Sequence, residues 1–230
     1  MNRTLALRRS IAVLVMLTVL ALGIIQNPDL YEITQNSQKA TTVYTSEAID
    51  GLQTLEVKGR APKTDYSREQ FGDGWEKILT CDTRNEILRR DLTNTVVNTE
   101  CYVVSGTLLD PYTGKTIMFR RGSQTSQAVQ IDHVVALSDA WQKGAQQLTY
   151  DERVRLSNDP LELLAVDGVA NQEKSDGDAA TWLPSNKQFR CQYVARQIAV
   201  KKKYKLWVTK AEKDAMLRVL QVCPGQKLPA

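Results

Sequence analysis

The sequence predicts an α+β fold, and three observations predict it. Apolar–polar alternation marks 102–109 and 116–120 as strands, and the apolar-rich run 128–135 as another. Two capping boxes, Thr149-Tyr150-Asp151-Glu152 and Thr209-Lys210-Ala211-Glu212, open helices in the C-terminal half. The only histidine, His133, sits in a strand–strand–helix succession.

Taken in order, the chain begins with Arg3, Arg8 and Arg9 ahead of an uncharged apolar run, 11–25. That is the pattern of a signal peptide, or of an uncleaved N-terminal membrane anchor, over 1–25. Residues 26–51 read as a linker, because Asn, Gln, Ser and Thr dominate to about residue 45 and bury too little to fold alone. A short helix over 46–55 is broken by Lys58-Gly59-Arg60-Ala61-Pro62. The folded domain is expected over 52–230. Within it, 85–92 reads as a helix. Strands 102–109 and 116–120 form an N-terminal hairpin around the turn Asp110-Pro111-Tyr112-Thr113-Gly114-Lys115. The strand over 128–135 carries His133, and a helix follows from Ser138. Thr149 caps the next helix, Asp159-Pro160 ends it, and 161–166 is a strand. Asp167-Gly168 turns into a short helix over 169–174. Ser185 is expected to cap a long helix reaching Tyr204, and Thr209 to cap the last, reaching Val222.

The composition is that of an ordinary globular protein, with 42% hydrophobic and 24% charged residues in 230. A net charge of +4 permits a polyanionic partner without requiring one. Four cysteines, Cys81, Cys101, Cys191 and Cys223, contain no C-x-x-C pair, which argues against a zinc knuckle or a thioredoxin-like motif. In an oxidising compartment they make two disulfides. Three pairings exist; the sequence-local one, Cys81–Cys101 with Cys191–Cys223, closes a short loop in each half of the domain. Neither H-E-x-x-H nor G-x-S-x-G is present, so a zinc protease or a serine hydrolase has no sequence support.

The chemistry concentrates in Asp132-His133 and Asn171-Gln172-Glu173-Lys174. Phosphodiester hydrolysis needs water deprotonated, phosphoryl charge neutralised and the leaving oxygen stabilised. A neutral imidazole serves the first need. A hard divalent cation on oxygen ligands serves the others. Asp132 and Asn171 offer such ligands, and Lys174, on the same helix face as Asn171, is read with His133 as catalytic, holding a phosphate as a point charge. Asp132 and His133 are neighbours on a strand and face opposite sides, so the strand must twist or end there if both serve one site. Arg84, Arg120, Arg121, Lys143 and Arg190 are candidate phosphate contacts, the first and last two the foremost. Lys201-Lys202-Lys203 reads as the wet face of a helix, Trp141 and Trp182 as core, and Asp176-Gly177-Asp178 as a turn.

Asp132-His133-Val134-Val135-Ala136-Leu137, the run 158–166 and Asn171-Gln172-Glu173-Lys174-Ser175-Asp176 together resemble the HNH nucleases, members of the ββα-metal or His-Me finger class. More narrowly the chain is similar to the exported bacterial branch of the GmrSD C-terminal type. The flanking Phe71-Gly72-Asp73-Gly74-Trp75, Cys81-Asp82-Thr83-Arg84-Asn85-Glu86 and the run 176–184 carry the same resemblance. It implies a ββα-metal core with extra helices and the hairpin. It implies His133 as general base. Asp132 and Asn171 would be ligands to one divalent cation, Mg²⁺ foremost and Mn²⁺ or Ca²⁺ as alternatives. The implied partner is DNA, RNA or both, with possible membrane attachment through the N-terminal segment and no protein partner evident. The family's middle Asn, which braces the metal loop, is replaced here by Glu162; either Asn158 takes over the brace or it is absent. The expected activity is an exported endonuclease of low sequence specificity, secreted or held at the outer face of the membrane. The alternative is a non-catalytic nucleic-acid or cell-surface binding domain on the same fold.

Overall fold

The structure is a computed structural model and describes residues 46–78, 81–123 and 125–229. The expected leader and nearly all of the expected linker lie outside the described residues. Among the described residues no helix is long and apolar enough to cross a membrane.

The strands are β1 (Lys77–Ile78), β2 (Cys81–Asp82), β3 (Thr93–Val97), β4 (Val103–Leu109), β5 (Thr116–Arg120), β6 (Val129–His133) and β7 (Leu163–Asp167). The α-helices are α1 (Glu47–Thr54), α2 (Thr83–Asp91), α3 (Leu137–Gln142), α4 (Tyr150–Asn158), α5 (Gly168–Lys174), α6 (Arg190–Lys203) and α7 (Lys210–Leu220). All strand pairing in these sheets is antiparallel: β1 with β2, β3–β4–β5 in one sheet, and β6 with β7. The mixture is α+β, as the sequence predicts.

The pair β6–β7 lies between two apolar clusters. Cross-strand partners share a face, so Val129, Ile131, Leu163 and Ala165 turn one way, into a cluster with Ile87, Leu88, Val103, Leu108 and Phe119. Leu164 and Val166 turn the other way, into the larger cluster built from α1, α3, α4, α6 and α7. Burial on both faces explains why β7 reads as an unbroken apolar run rather than an alternating one. Gly168 then starts α5 hard against the 3₁₀ turn Ser126–Ala128 that precedes β6. A Cβ there would stand 2.0 Å from the Gln127 carbonyl oxygen, so only glycine lets the helix leave β7 at this angle. The Asp167 side chain caps it by accepting from the Ala170 N–H at 2.8 Å.

Both capping boxes form as expected. Thr149→Ala should cost about 1 kcal/mol of stability, measured as a lower denaturant midpoint at unchanged slope; an unchanged midpoint would show that the cap is redundant. Both sequence-local disulfides are present, Cys81–Cys101 and Cys191–Cys223, with Cα–Cα distances of 5.3 and 5.9 Å. The first anchors the entry to α2, and the second ties α6 to the turn after α7.

Four expectations need correction. The boundary at residue 52 falls inside α1, whose Ala48, Ile49 and Leu52 are core residues, so the folded unit includes residues from 46. Strand β3 was not foreseen: it is an exposed edge strand whose Thr and Val show no alternation for the pattern to report. Ser185 does not cap α6. Asn186 accepts from the Gln188 N–H, a 3₁₀ turn over Lys187–Phe189 intervenes, and α6 starts at Arg190. Lys201 is not on a wet face; it is fully buried.

Lys201 belongs to a buried ion network. The Lys143 Nζ lies 2.7 Å from Asp139, 2.7 Å from Asp178 and 2.6 Å from Glu212. The Lys201 Nζ adds a 3.0 Å contact to Glu212, and Arg60 reaches Asp139 and Asp178 at 2.8 and 2.9 Å. Buried charges survive only when paired in this way, because removing one partner strands the others. The network joins α3, α6, α7 and the loop after α5, behind the segments that carry the candidate site.

Candidate active site

Strand β6 ends at His133, and that ending solves the facing problem. Asp132 points into the larger cluster and His133 to the other side of the sheet. Both nevertheless line one cleft of about 780 Å³, with Gln130, Asn171, Gln172 and Asp176. His133 also borders a smaller cavity of about 330 Å³, formed by Arg68, Phe71, Gly72, Trp75 and Ser157.

The imidazole is held on two sides. Its Nε2 lies 3.0 Å from the Ser157 carbonyl oxygen. A carbonyl only accepts, so Nε2 carries the hydrogen and Nδ1 keeps the lone pair. The Trp75 ring stacks on the imidazole, with centroids 5.7 Å apart and planes 7° from parallel. Trp75 is positioned in turn by Asn158, whose Oδ1 accepts from the Glu76 N–H at 2.9 Å.

Burial lowers the His133 pKa to about 3, with the Ser157 carbonyl opposing that shift. The imidazole is therefore neutral at physiological pH. Because the folded state disfavours the imidazolium, this contribution to stability is full above the unfolded value of about 6.5. It is lost as pH falls from there toward about 3. The stability of the wild type relative to His133→Asn, read by urea denaturation, should decline between those values. Parallel pH curves for the two proteins would show that the histidine titrates alike folded and unfolded.

Asp132 is 5% exposed and fully engaged. The Lys174 Nζ donates to its Oδ1 at 2.9 Å, and the Tyr112 hydroxyl donates to its Oδ2 in a short hydrogen bond. Burial pushes the carboxyl above its usual range, opposed by the Lys174 charge and by both donors. The same ammonium donates to the His133 carbonyl oxygen at 2.8 Å. Lys174 is thus 2% exposed and turned inward, which corrects its reading as a catalytic or phosphate-holding lysine. Asn171 lines the cleft from α5. Its Nδ2 donates to Gln130 Oε1 at 2.9 Å, leaving its own Oδ1 as an acceptor.

Glu162 is fully buried, and its carboxylate oxygens both lie 3.2 Å from the Val135 N–H; the Glu162 carbonyl accepts from the Val134 N–H at 2.9 Å. Burial raises its pKa well above the ordinary carboxylate range, with the Val135 N–H opposing. Glu162 therefore pins the loop that follows His133, while Asn158 braces the Trp75–Glu76 segment.

Of the expected phosphate contacts, only Arg84 lines the cleft. Lys143 is fully buried in the ion network, so its placement among nucleic-acid contacts is corrected. Arg190 donates from Nε to the Pro184 carbonyl at 2.7 Å and does not line the cleft. Three residues that matter escaped the sequence reading: Tyr112, Arg68 and the carbonyl of Ser157. Tyr112 sits in a turn motif that explains itself without its side chain, Arg68 is far from His133 in sequence, and a backbone carbonyl leaves no trace in residue types.

These elements form an α+β domain whose cleft is lined by Asp132, His133 and Asn171. A family described as "GmrSD restriction endonucleases, C-terminal domain" matches residues 82–219, and the chain belongs to it. The chain is also 39% identical over 181 residues to an "Uncharacterized secreted protein" of the fungus Arthroderma benhamiae, covering 77% of this chain and 85% of that protein. That relative is fungal, so the likeness is not confined to a bacterial branch. No solved structure matches.

Proposed function

We propose that this protein is an exported, metal-dependent HNH-type endonuclease. In this reading β6, β7 and α5 form its ββα-metal core, and it hydrolyses DNA or RNA phosphodiesters with low sequence specificity. The observation that carries the reading is the fixed imidazole at the edge of a cleft that also holds Asp132 and Asn171. Nε2 is committed to Ser157, so Nδ1 is the nitrogen that takes a proton from water. Trp75 and the Ser157 carbonyl fix the ring plane, so little orientation remains to be found at the moment of reaction.

Asp132 and Asn171 are donors of the type a hard cation takes, one carboxylate and one free amide oxygen, and the cleft has room for water and a phosphate; Lys174 and Tyr112 already hold both Asp132 oxygens and would have to share them. Asp132 and Asn171 would hold such a cation. Mg²⁺ suits these ligands first, Mn²⁺ or Ca²⁺ next. When bound there, such an ion supplies neutralisation of phosphoryl charge and stabilisation of the departing oxygen. Arg84 and Arg68 line the same cleft and hold flanking phosphates. Export is supported by the basic-then-apolar N-terminus, by the two disulfides, and by a relative named as secreted. The segment also leaves attachment to the outer face of the membrane in play.

The deciding experiment is plasmid nicking by the purified protein with Mg²⁺ and with EDTA. Cleavage that EDTA abolishes supports the reading. Retained binding to DNA or RNA without cleavage in either condition would replace it with a non-catalytic binding domain.

A further inference from the structure

We propose that the smaller cavity beside His133 receives one unpaired nucleobase of the substrate, stacked on Trp75 next to the phosphodiester to be cut, so that the protein acts on single strands in preference to duplex. The inference rests on the nuclease reading and adds the form in which the substrate is bound.

The cavity follows from how the segment 70–76 is held against α4. At one end Arg153 donates to the Gln70 carbonyl at 2.8 Å, and the Ser157 hydroxyl donates to the Phe71 carbonyl at 2.7 Å. At the other end the Glu76 N–H donates to Asn158 at 2.9 Å. Between these anchors the chain passes through Gly72-Asp73-Gly74, with Gly72 and Gly74 at φ of 101° and 134°, values that glycine adopts without a steric cost. The space enclosed is about 330 Å³, lined in part by His133. That is the lower end of the roughly 300–1,000 Å³ found for small-molecule sites. Anchors at both ends hold it open before anything binds, so little ordering remains to be done on binding.

Two aromatic rings wall it. Phe71 is 2% exposed and locked edge-on against Tyr66 and Trp141. Trp75 is half-buried, and its near-parallel contact with the imidazole, at a centroid separation of 5.7 Å, is an offset stack. The imidazole therefore covers part of the indole, and the remainder is a platform for a second flat ring.

Three observations select a nucleobase as that ring. Arg68, His133 and Leu137 line both this cavity and the larger cleft, so the two spaces adjoin at the imidazole. A nucleotide whose phosphate lies in the cleft, against Arg68, has its base within reach of the cavity. Glu69 and Asp73 line the cavity and not the cleft. Their charges turn phosphate away, and their oxygens accept from the amino and ring N–H groups of a base. The indole platform reads a π-face that every base carries, which agrees with low sequence specificity. A base walled in this way cannot keep its Watson–Crick partner, so a duplex must first release it.

The test uses the full chain and a short single-stranded oligodeoxynucleotide, first in EDTA so that binding is read apart from cleavage. Tryptophan fluorescence should be quenched saturably, and the same strand made abasic should bind at least ~5-fold more weakly, the low end of what base–aromatic stacking is worth. Trp75→Phe keeps an aromatic ring on His133 and should lose most of the quenching, with its fold checked by circular dichroism. With Mg²⁺, the strand should be cut at least ~10-fold faster than the same strand annealed to its complement, because the duplex must give up a pair. One abasic residue should slow cleavage most at the adjoining bond. Equal cleavage of strand and duplex, with no effect of the abasic residue, would overturn the inference and leave the nuclease reading standing. Saturable, base-dependent quenching with cleavage of neither form would end the nuclease reading and still report the pocket. The substrate comparisons decide the matter even if Trp75→Phe fails to fold.

Discussion

His133→Ala lowers phosphodiester cleavage by at least ~10²-fold, the scale on which a positioned general base acts, and leaves the fold in place. The side chain is 7% exposed but stands at the rim between two cavities rather than in a packed centre. Its removal frees the Ser157 carbonyl and uncovers one face of Trp75, and neither change breaks an ion pair. The loss belongs in the chemical step, so single-turnover cleavage should fall while duplex affinity stays within a few-fold. Cleavage at the wild-type rate would remove His133 from the mechanism, and no other imidazole exists in the chain to replace it.

The second large effect is at Asp132. Substitution by alanine would leave the Lys174 ammonium buried without its counter-charge, a defect worth about 3–5 kcal/mol in stability. Asp132→Asn keeps the shape and one oxygen acceptor, for Lys174, with its amide group facing the Tyr112 hydroxyl; it removes the ligand charge and also Lys174's counter-charge, so folding is checked by circular dichroism before cleavage is read. It should abolish metal-dependent cleavage and weaken Mg²⁺ or Mn²⁺ binding to the DNA-bound protein. His133→Ala should leave that binding nearly unchanged. The contrast assigns ligand and base separately. If Asp132→Asn cuts DNA with an undiminished response to Mg²⁺, the carboxylate is structural and the ligand set must lie elsewhere in the cleft.

Much of this was legible in the residues. The two capping boxes read in the sequence, at Thr149 and Thr209, both mark helix starts, although the spacing alone does not suffice: Thr83 and Glu86 share it, and Asp82 is the cap there. The strand carrying His133 and the helix carrying Asn171 follow from apolar runs and an Asp-Gly turn. What failed to show was the direction of long charged side chains. Lys143, Lys174 and Lys201 look alike on paper and like surface lysines in general, yet all three are buried against carboxylates 4 to 69 residues away. Glu162 was legible as an odd residue where an asparagine was expected, but not as a brace, because its partner is the amide of Val135 and amides are the same in every sequence.

The two disulfides carry a consequence for the organism that makes the chain. Each cross-links one side of the domain, and neither forms while thiols are kept reduced. A disulfide in a small secreted domain contributes about 2–4 kcal/mol, against a total margin of about 5–15 kcal/mol for a typical domain. On the proposed reading of an exported nuclease, the chain is at its weakest in a reducing cytosol, beside nucleic acid it could cut, and at its strongest once outside. On that reading, protection of the producer's own nucleic acid rests partly on compartment redox.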